Sequence, residues 1–201
     1  MMVLKIWDTV MKTFYIVFAD KVNNLKLAHH QSFESSPNVS GTPASLPMSI
    51  LTVNVRSLKK HINDLEALVH SLEFPPNVLC LTETWLTEND DIDSLLVPGY
   101  NNYAIKNRNT HGGGVMIQIQ DSISLLETHS TDMDETLLVS LQYKKYRFKL
   151  ATVYNPPRTN KMNFVEKLDK FLNELTSVNC PTIITGDFNI DTLANNQLQS
   201  N

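Results

Sequence analysis

The stretch that decides the fold is Pro181-Thr182-Ile183-Ile184-Thr185-Gly186-Asp187-Phe188-Asn189-Ile190-Asp191. An apolar run ends at Gly186 and polar side chains follow at once, which predicts a buried strand that delivers polar groups to a sheet edge. Gly186 lacks a Cβ, so it allows a tight bend or the close approach of a ligand. Asp187 can orient a water, and Asn189 shares its face if the backbone stays extended. The alternative is an Asx turn after the strand, since Asp and Asn favour turns.

Length and composition indicate a globular protein. The 201 residues are enough for one domain with a sizeable core, and the chain is 42% hydrophobic and 19% charged. The net charge of -4 gives no overall basic field, so contacts with a polyanion need local patches or metal ions. No apolar run reaches the roughly 18 residues of a membrane span. Met1–Asp20 is a poor signal peptide, because Asp8 and Lys12 interrupt its apolar stretch. Cys80 and Cys180 lie in or next to apolar runs, so we expect buried free thiols and not a disulfide. We expect an intracellular protein that does not bind membranes.

Residues 1–47 differ from the rest of the chain. A weak helix is considered for the apolar cluster Phe14–Phe18. Ser35–Pro47 is rich in Ser and Pro, and such a composition buries too little apolar surface to offset the entropy of ordering. We therefore expect an N-terminal extension and linker over residues 1–47, disordered in part, followed by one domain over residues 48–201.

Periodicity predicts an order of elements for the remaining chain. Strands are predicted at Ile50–Val55, Val78–Leu81, Val115–Ile119, Leu137–Leu141, Arg147–Tyr154 and the opening stretch, and helices at Leu58–Leu72 and Phe164–Leu175. Val115–Ile119 alternates and so is expected to have one wet face. Ser57 is expected to cap the first helix. Because Tyr143–Tyr146 makes a hairpin turn between adjacent strands, we predict an α/β (α+β) fold with a mixed or antiparallel sheet.

Four of the predicted strands end in polar side chains: Asn54, Glu83, Tyr154 and the pair Asp187 and Asn189. Hydrolysis of a phosphodiester needs a carboxylate for a hydrated divalent cation, a second carboxylate for the attacking water, and neutral donors for the phosphate. We therefore expect Glu83 and Asp187 at the same end of a sheet, with Asn54 nearby. The alternatives are a helix-terminal Glu83, a half-buried Tyr154 at a rim and an Asn54 that caps a helix.

Two further patterns carry weaker signals. The triple glycine Gly112–Gly114 lacks the P-loop pattern, so we assign it no nucleotide-binding role. The basic run Lys144–Lys149 is typical of a solvated hairpin face, and a phosphate-contact patch is the alternative.

Taken in order, five segments resemble the endonuclease/exonuclease/phosphatase superfamily, and most closely the apurinic-type endonuclease domain of non-LTR retrotransposons, which is associated with a reverse transcriptase. The matching segments are Leu51–Leu58, Leu81–Leu86, Gly112–Val115, Val153–Pro157 and Gly186–Asn189. The resemblance covers roughly Met48 to Asp191. Each segment alone is a weak signal, but five in this order are specific.

The resemblance implies a four-layer α/β sandwich of two mixed, largely antiparallel sheets that hydrolyses phosphodiesters in DNA with Mg²⁺ or Mn²⁺. Glu83 would ligate the metal, with Asn54 beside it as a ligand or through a water. Tyr154 and Asn189 would bind the substrate phosphate, and Asp187 would activate the water. An intracellular location follows, with the nucleus as one candidate.

Two departures from the family pattern bear on activity. The second residue after Asn54 is Arg56, where DNA-repair members often carry an acidic residue. The family's last motifs, a further Asp and a Ser-Asp-His ending, are absent, so we expect a domain incomplete at the C-terminus and weakly active or inactive. The competing hypotheses are a DNA endonuclease, a catalytically silent nucleic-acid-binding or relic protein, and the same fold acting on another phosphoester.

Overall fold

The computed structural model describes residues 4–6, 14–19, 48–108, 112–177 and 180–189. In this part of the chain it contains two α-helices, α1 (Leu58–Ser71) and α2 (Lys161–Thr176), and a short 3₁₀ turn at Asp93–Leu95. The same described residues form ten strands: β1 (Leu4–Ile6), β2 (Phe14–Ala19), β3 (Met48–Asn54), β4 (Val78–Thr82), β5 (Asn102–Lys106), β6 (Val115–Ile119), β7 (Ile123–His129), β8 (Thr136–Tyr143), β9 (Tyr146–Tyr154) and β10 (Thr182–Asp187). Neither helix is long and apolar enough to cross a membrane.

The strands form two five-stranded sheets. The first sheet has the order β2-β3-β4-β6-β5, and the second has the order β1-β10-β9-β8-β7. The pairs β2–β3, β3–β4 and β9–β10 are parallel, whereas the other pairs are antiparallel. The hairpin of β8 and β9 turns at Lys144 and Lys145, as the sequence predicted. The expectation of two mixed, largely antiparallel sheets is confirmed.

The two sheets pack face to face, and one helix covers each outer face. The central layer contains inward-facing residues of both sheets, among them Ile50, Cys80, Ile117, Val139, Leu150 and Ile183. Helix α1 packs on the first sheet through Leu58, Leu65, Leu68 and Val69. Helix α2 packs on the second sheet through Phe164, Leu168, Phe171 and Leu175. Each such side chain contributes about 1.5–3 kcal/mol when buried, and the resulting order of layers is helix, sheet, sheet, helix.

The predicted wet face of β6 is wrong, because every residue of this strand is buried. Gln118 is 0% exposed, yet both ends of its amide have partners. Its Oε1 accepts from the backbone N–H of Val97, and its Nε2 donates to the carbonyl of Leu95. The segment before β5 therefore covers this face of β6. The polar residue in the alternating pattern of β6 is a buried Gln whose amide is hydrogen-bonded at both ends, and it does not mark a face open to solvent.

The N-terminal residues that the structure describes are strands. Phe14–Ala19 forms β2, parallel to β3, where the sequence analysis considered a weak helix. The run Phe-Tyr-Ile-Val-Phe is rich in aromatic and β-branched residues, which favour a strand beside an available edge. The linker at Ser35–Pro47 lies outside the described residues, and the domain boundary near Met48 stays a prediction.

Candidate active site

Asn54 joins the two sheets at the end of β3. Its Nδ2 donates to Glu83 Oε1 at 2.7 Å and to Asp187 Oδ2 at 3.0 Å. Glu83 follows β4 in the first sheet, whereas Asp187 ends β10 in the second. The structure thus brings the three residues together at one end of the sandwich, with the carboxylates on facing sheets and not on one sheet edge.

A hydroxyl contact in the core fixes the spacing of the sheets just below this site. The side-chain oxygens of Thr52 and Thr185 are 2.6 Å apart, and both residues are buried. Each lies two residues before its site residue, Asn54 or Asp187. A hydrogen bond between two buried hydroxyls is directional, so it resists sliding of one sheet over the other.

The end of β10 lies unusually close to β9. Gly186 has a φ of +141°, and a Cβ added there would be 1.8 Å from the carbonyl oxygen of Val153. The parallel register pairs Asp187 with Tyr154, and the Asn155 N–H donates to the Asp187 carbonyl at 2.8 Å. Gly186 is therefore required by close backbone packing, and this packing sets Asp187 beside Tyr154.

Glu83 lies on irregular backbone that several segments hold in place. Glu83 and Trp85 both have a φ of +54°, a conformation that costs a non-glycine residue free energy. The Ser57 N–H donates to the Glu83 carbonyl at 2.8 Å. Ser57 makes no side-chain cap to α1, so the predicted cap is wrong, and its backbone holds Glu83. No helix follows Glu83 directly, so the reading as a helix-terminal carboxylate is wrong as well.

The triple glycine supports the same segment from the other side. The Thr84 N–H donates to the Gly114 carbonyl at 3.3 Å, and the Trp85 N–H donates to the Gly113 carbonyl at 2.9 Å. A Cβ on Gly114 would lie 2.7 Å from Thr84 Oγ1. The glycines at 113 and 114 therefore allow a close backbone contact with the segment that follows Glu83.

Tyr154 is buried, with only 6% of its surface exposed, so the half-buried reading is wrong. Burial raises the pKa of Tyr154 above its ordinary value, and the nearby carboxylates of Glu83 and Asp187 raise it further. The Tyr154 hydroxyl therefore stays protonated at neutral pH, and it acts as a hydrogen-bond donor beside the two carboxylates.

Asn189 combines the two readings that the sequence left open. Its backbone N–H donates to Asp187 Oδ1 at 3.2 Å, as in an Asx turn, and its φ is +47°, so the backbone is not extended. Its Nδ2 donates to the Asn155 carbonyl at 2.7 Å. Asn189 therefore holds the Asp187 and Tyr154 segments together, and its contact with substrate stays a prediction.

The donor set fits a hydrated divalent cation. Among the described residues, no three His, Cys, Asp or Glu side chains form a metal cluster. Magnesium, however, keeps several waters and commonly binds through one or two carboxylates. Asn54 Oδ1 is buried and has no hydrogen-bond partner in the described part of the chain, which leaves an acceptor for a metal-bound water beside Glu83 and Asp187.

The basic run at the hairpin lies away from this site. Lys144 and Lys145 occupy the turn that precedes β9, and their ammonium groups lie over the Tyr143 and Tyr146 rings at 5.0 and 5.4 Å. Tyr154 is at the other end of β9, about 26 Å away at 3.3 Å per residue. The position favours the solvated-face interpretation of the turn lysines.

Sequence reasoning missed a cavity of about 460 Å³ beside Tyr154. Its lining comes from the end of β5, the segments before β8 and after β9, and the start of α2, and it includes Lys106, Arg108, Glu135, Asn155, Phe164 and Lys167. Glu135 is the nearest signal in the sequence, an acidic residue placed directly before a strand. It was not separable from its acidic neighbours by pattern alone.

Solved structures share this architecture. D. rerio TDP2 in complex with a single-strand DNA product has a TM-score of 0.54 at 17% identity, and the match covers 72% of this chain and 61% of that one. An AP endonuclease from Archaeoglobus fulgidus has a TM-score of 0.55 at 15% identity, with 70% and 57% covered. The 3'-5' exonuclease NExo from Neisseria meningitidis has a TM-score of 0.50 at 19% identity, with 70% and 57% covered. The chain thus spans about six tenths of these three structures, and the likeness shows a common fold.

The sequence itself carries the family signature over most of its length. Among curated proteins no sequence match was found. The family model described as "Endonuclease/Exonuclease/phosphatase family" matches residues 51–196, a range that includes Asn54, Glu83, Tyr154, Asp187 and Asn189. Together with the two sheets and the residues at their meeting ends, this match shows that the chain belongs to the endonuclease/exonuclease/phosphatase family.

Proposed function

We propose that the protein is a metal-dependent phosphodiesterase that cuts DNA, and that it derives from the endonuclease domain of a non-LTR retrotransposon. The observation that carries the proposal is the Asn54 amide, which bonds both the Glu83 and the Asp187 carboxylates. Two carboxylates that share one neutral donor suit a hydrated divalent cation and an activated water.

Each residue has a role that its position supports. Glu83 would hold Mg²⁺ or Mn²⁺, with Asn54 beside it as a ligand or through a water. When bound, the ion would neutralise charge that develops on the phosphoryl oxygens. Asp187 would orient and deprotonate the attacking water, and the protonated Tyr154 hydroxyl would donate to the phosphate. Asn189 would hold the Asp187 segment against Tyr154 and contact the phosphate.

DNA is the favoured substrate on two grounds. The five segments that resemble retrotransposon endonucleases include Thr84-Trp85-Leu86 and the triple glycine. Of the structural neighbours, D. rerio TDP2 holds a single-strand DNA product. The net charge of -4 opposes tight DNA binding without metal, so we infer a strong dependence of binding on the divalent cation.

We infer a slow reaction. The histidines of the described part contact residues of their own helix or hairpin: His61 contacts Asp64, His70 contacts Glu66 and His129 contacts Ser140. Among the described residues, the donors available to the phosphate would then be Tyr154 and Asn189. Loss of one preorganised donor commonly lowers a rate by about 10²–10³.

The test is the nicking of supercoiled plasmid by the purified 201-residue chain with and without Mg²⁺. The proposal expects slow nicking that requires Mg²⁺ and that disappears in a Glu83→Ala, Asp187→Ala double variant. Nicking at the same rate by both proteins would contradict it. Binding of DNA without nicking would favour the silent nucleic-acid-binding protein, and hydrolysis of a small phosphomonoester without nicking would favour another phosphoester as substrate.

A further inference from the structure

Glu135 is a half-buried residue whose carboxylate the proposed reaction does not use. It lies directly before β8, and 9% of its side chain is exposed. Its Oε2 accepts from the Gly114 N–H at 2.7 Å, and its Oε1 lies 3.1 Å from Arg108 Nε. Both carboxylate oxygens therefore bind other segments, Oε2 the Gly114 backbone and Oε1 the Arg108 side chain, as a polar group with little exposure requires.

The contacts of Glu135 lead to both sides of the candidate active site. Gly114, which its carboxylate holds, accepts from the Thr84 N–H, one residue after Glu83. The backbone carbonyl of Glu135 accepts from the Tyr154 N–H at 2.8 Å. One residue thus connects the irregular segment that carries Glu83 with the strand end that carries Tyr154.

Gly113 leaves room for this carboxylate. A Cβ built on Gly113 would lie 2.7 Å from both Glu135 carboxylate oxygens and from Arg108 Cδ. A Cβ on Gly112, in contrast, would meet only Trp85 Nε1 at 3.8 Å among the described residues. The two glycines have similar φ values, +87° at Gly112 and +75° at Gly113, so they differ mainly in the space that Glu135 takes.

We propose that Glu135 is a positioning residue for the metal-binding Glu83, acting through the Gly113–Gly114 backbone and the Thr84–Trp85 segment. This inference rests on the proposed function, because it assigns Glu83 to the metal. The left-handed backbone at Glu83 relaxes toward ordinary conformations unless its neighbours hold it. Outer partners of this kind commonly change metal affinity by about 10–100-fold when removed.

The experiment measures Mg²⁺ affinity by isothermal titration of the metal-free 201-residue chain, and plasmid nicking as a function of Mg²⁺ concentration. The variant is Glu135→Gln, with Asp134→Asn as its control, because Asp134 is 84% exposed and pairs only with Lys167 among the contacts described. We expect Glu135→Gln to weaken Mg²⁺ binding about tenfold and Asp134→Asn to leave it within about twofold. Nicking by Glu135→Gln should recover at saturating Mg²⁺, whereas a purely structural role would lower it at every Mg²⁺ concentration.

A second pair of variants gives the same test without changing Glu135. Gly113→Ala should displace the carboxylate and weaken Mg²⁺ binding as Glu135→Gln does. Gly112→Ala carries similar backbone strain and should not. If Glu135→Gln fails to fold by circular dichroism, this glycine pair and Glu135→Asp, whose shorter side chain cannot reach both Gly114 and Arg108, decide the question.

The outcomes separate the two proposals. A parent chain that binds Mg²⁺ with variants of equal affinity overturns the positioning role and leaves the proposed function standing. A parent chain that binds no Mg²⁺ overturns both. Weaker binding in Glu135→Gln and Gly113→Ala, but not in their controls, supports the positioning role.

Discussion

The two carboxylates of the candidate site are held by different kinds of structure. Asp187 is the last residue of a regular strand, paired with Tyr154 in a parallel ladder. Glu83 lies beyond the end of β4, on left-handed backbone held by Ser57 and by hydrogen bonds of the next two residues to Gly113 and Gly114. The difference teaches that the ladder fixes one half of the site through packing, whereas a few backbone hydrogen bonds fix the other half. We therefore expect changes near Asp187 to affect the whole fold, and changes near Glu83 to affect mainly the site.

The largest effect is expected for Gly186→Ala, on the ladder side. The added Cβ would lie 1.8 Å from the Val153 carbonyl oxygen, so β10 must move away from β9. Overpacking and backbone strain together cost about 4 kcal/mol, a large share of the roughly 5–15 kcal/mol that stabilises a domain. Urea denaturation followed by circular dichroism measures this loss.

Gly99→Ala is the matched control for that substitution. Gly99 also has a positive φ, +88°, but an added Cβ there meets nothing within 4 Å in the described residues. Its cost should be limited to backbone strain of about 1 kcal/mol. Equal losses in the two variants would show that close packing of β10 does not hold the Asp187 side.

The second prediction concerns the amide between the two halves. Asn54→Asp replaces the donor to Glu83 and Asp187 with a third carboxylate. Hydrogen bonds to charged groups are worth about 1.5–3 kcal/mol each. At the lower end of that range, loss of the two bonds should cost the metal-free variant about 3 kcal/mol of stability, and Mg²⁺ should restore part of it. The free energy of unfolding, measured with and without Mg²⁺, tests this. Asn63→Asp, on the exposed face of α1, should change stability by less than about 0.5 kcal/mol.

The regular strands and helices, including the strand that carries Asp187, were predicted well from the sequence. Strands with β-branched runs and helices with a clear apolar face, such as Phe164–Leu175, were placed correctly because burial imposes their period. The edge strands β5 and β7 were missed, since an edge strand such as Ile123–His129 is largely exposed and shows little alternation. The buried Gln118 was misread, because pattern does not reveal a covering loop.

The irregular backbone around Glu83 was less predictable from the sequence. The residues of the site were named from their positions after strands, and the structure brings Asn54, Glu83, Asp187 and Tyr154 together. The left-handed backbone at Glu83 and the anchoring role of Glu135 depend on contacts between segments distant in sequence. No local propensity encodes such contacts, so Ser57 was read as a side-chain cap and Glu135 was not noticed.

The third prediction tests the contact between Thr52 and Thr185, which joins the two sheets just below the site. Thr52→Val removes one hydroxyl and leaves the Thr185 hydroxyl buried without its partner. This should cost about 1–3 kcal/mol. In the Thr52→Val, Thr185→Val double variant both groups are replaced by apolar groups of similar shape, and stability should recover to near that of the parent. A double variant as unstable as the sum of the single variants would show that the hydroxyl pair does not act as a unit.

The smallest effect concerns Cys80, which lies on β4 three residues before Glu83. Its reactivity tests whether the irregular backbone is confined to the residues after β4 or extends into the strand. Burial raises the pKa of the Cys80 thiol to about 12, and contacts with Thr152 and Thr52 only partly offset this. Maleimides react with the thiolate, so Cys80 should resist labelling at pH 8. The half-buried Cys180 should be labelled, giving one adduct per chain by mass spectrometry.

The raised pKa of Cys80 also makes the stability of the fold depend on pH. The folded state keeps a proton that the unfolded chain loses, so the thiol's contribution to stability is present below the unfolded pKa and fades as pH rises from about 9 toward 12. Rapid labelling of Cys80 at pH 8 under native conditions would mean that β4 opens locally, and the rigid strand and its irregular end would then no longer be distinct regions.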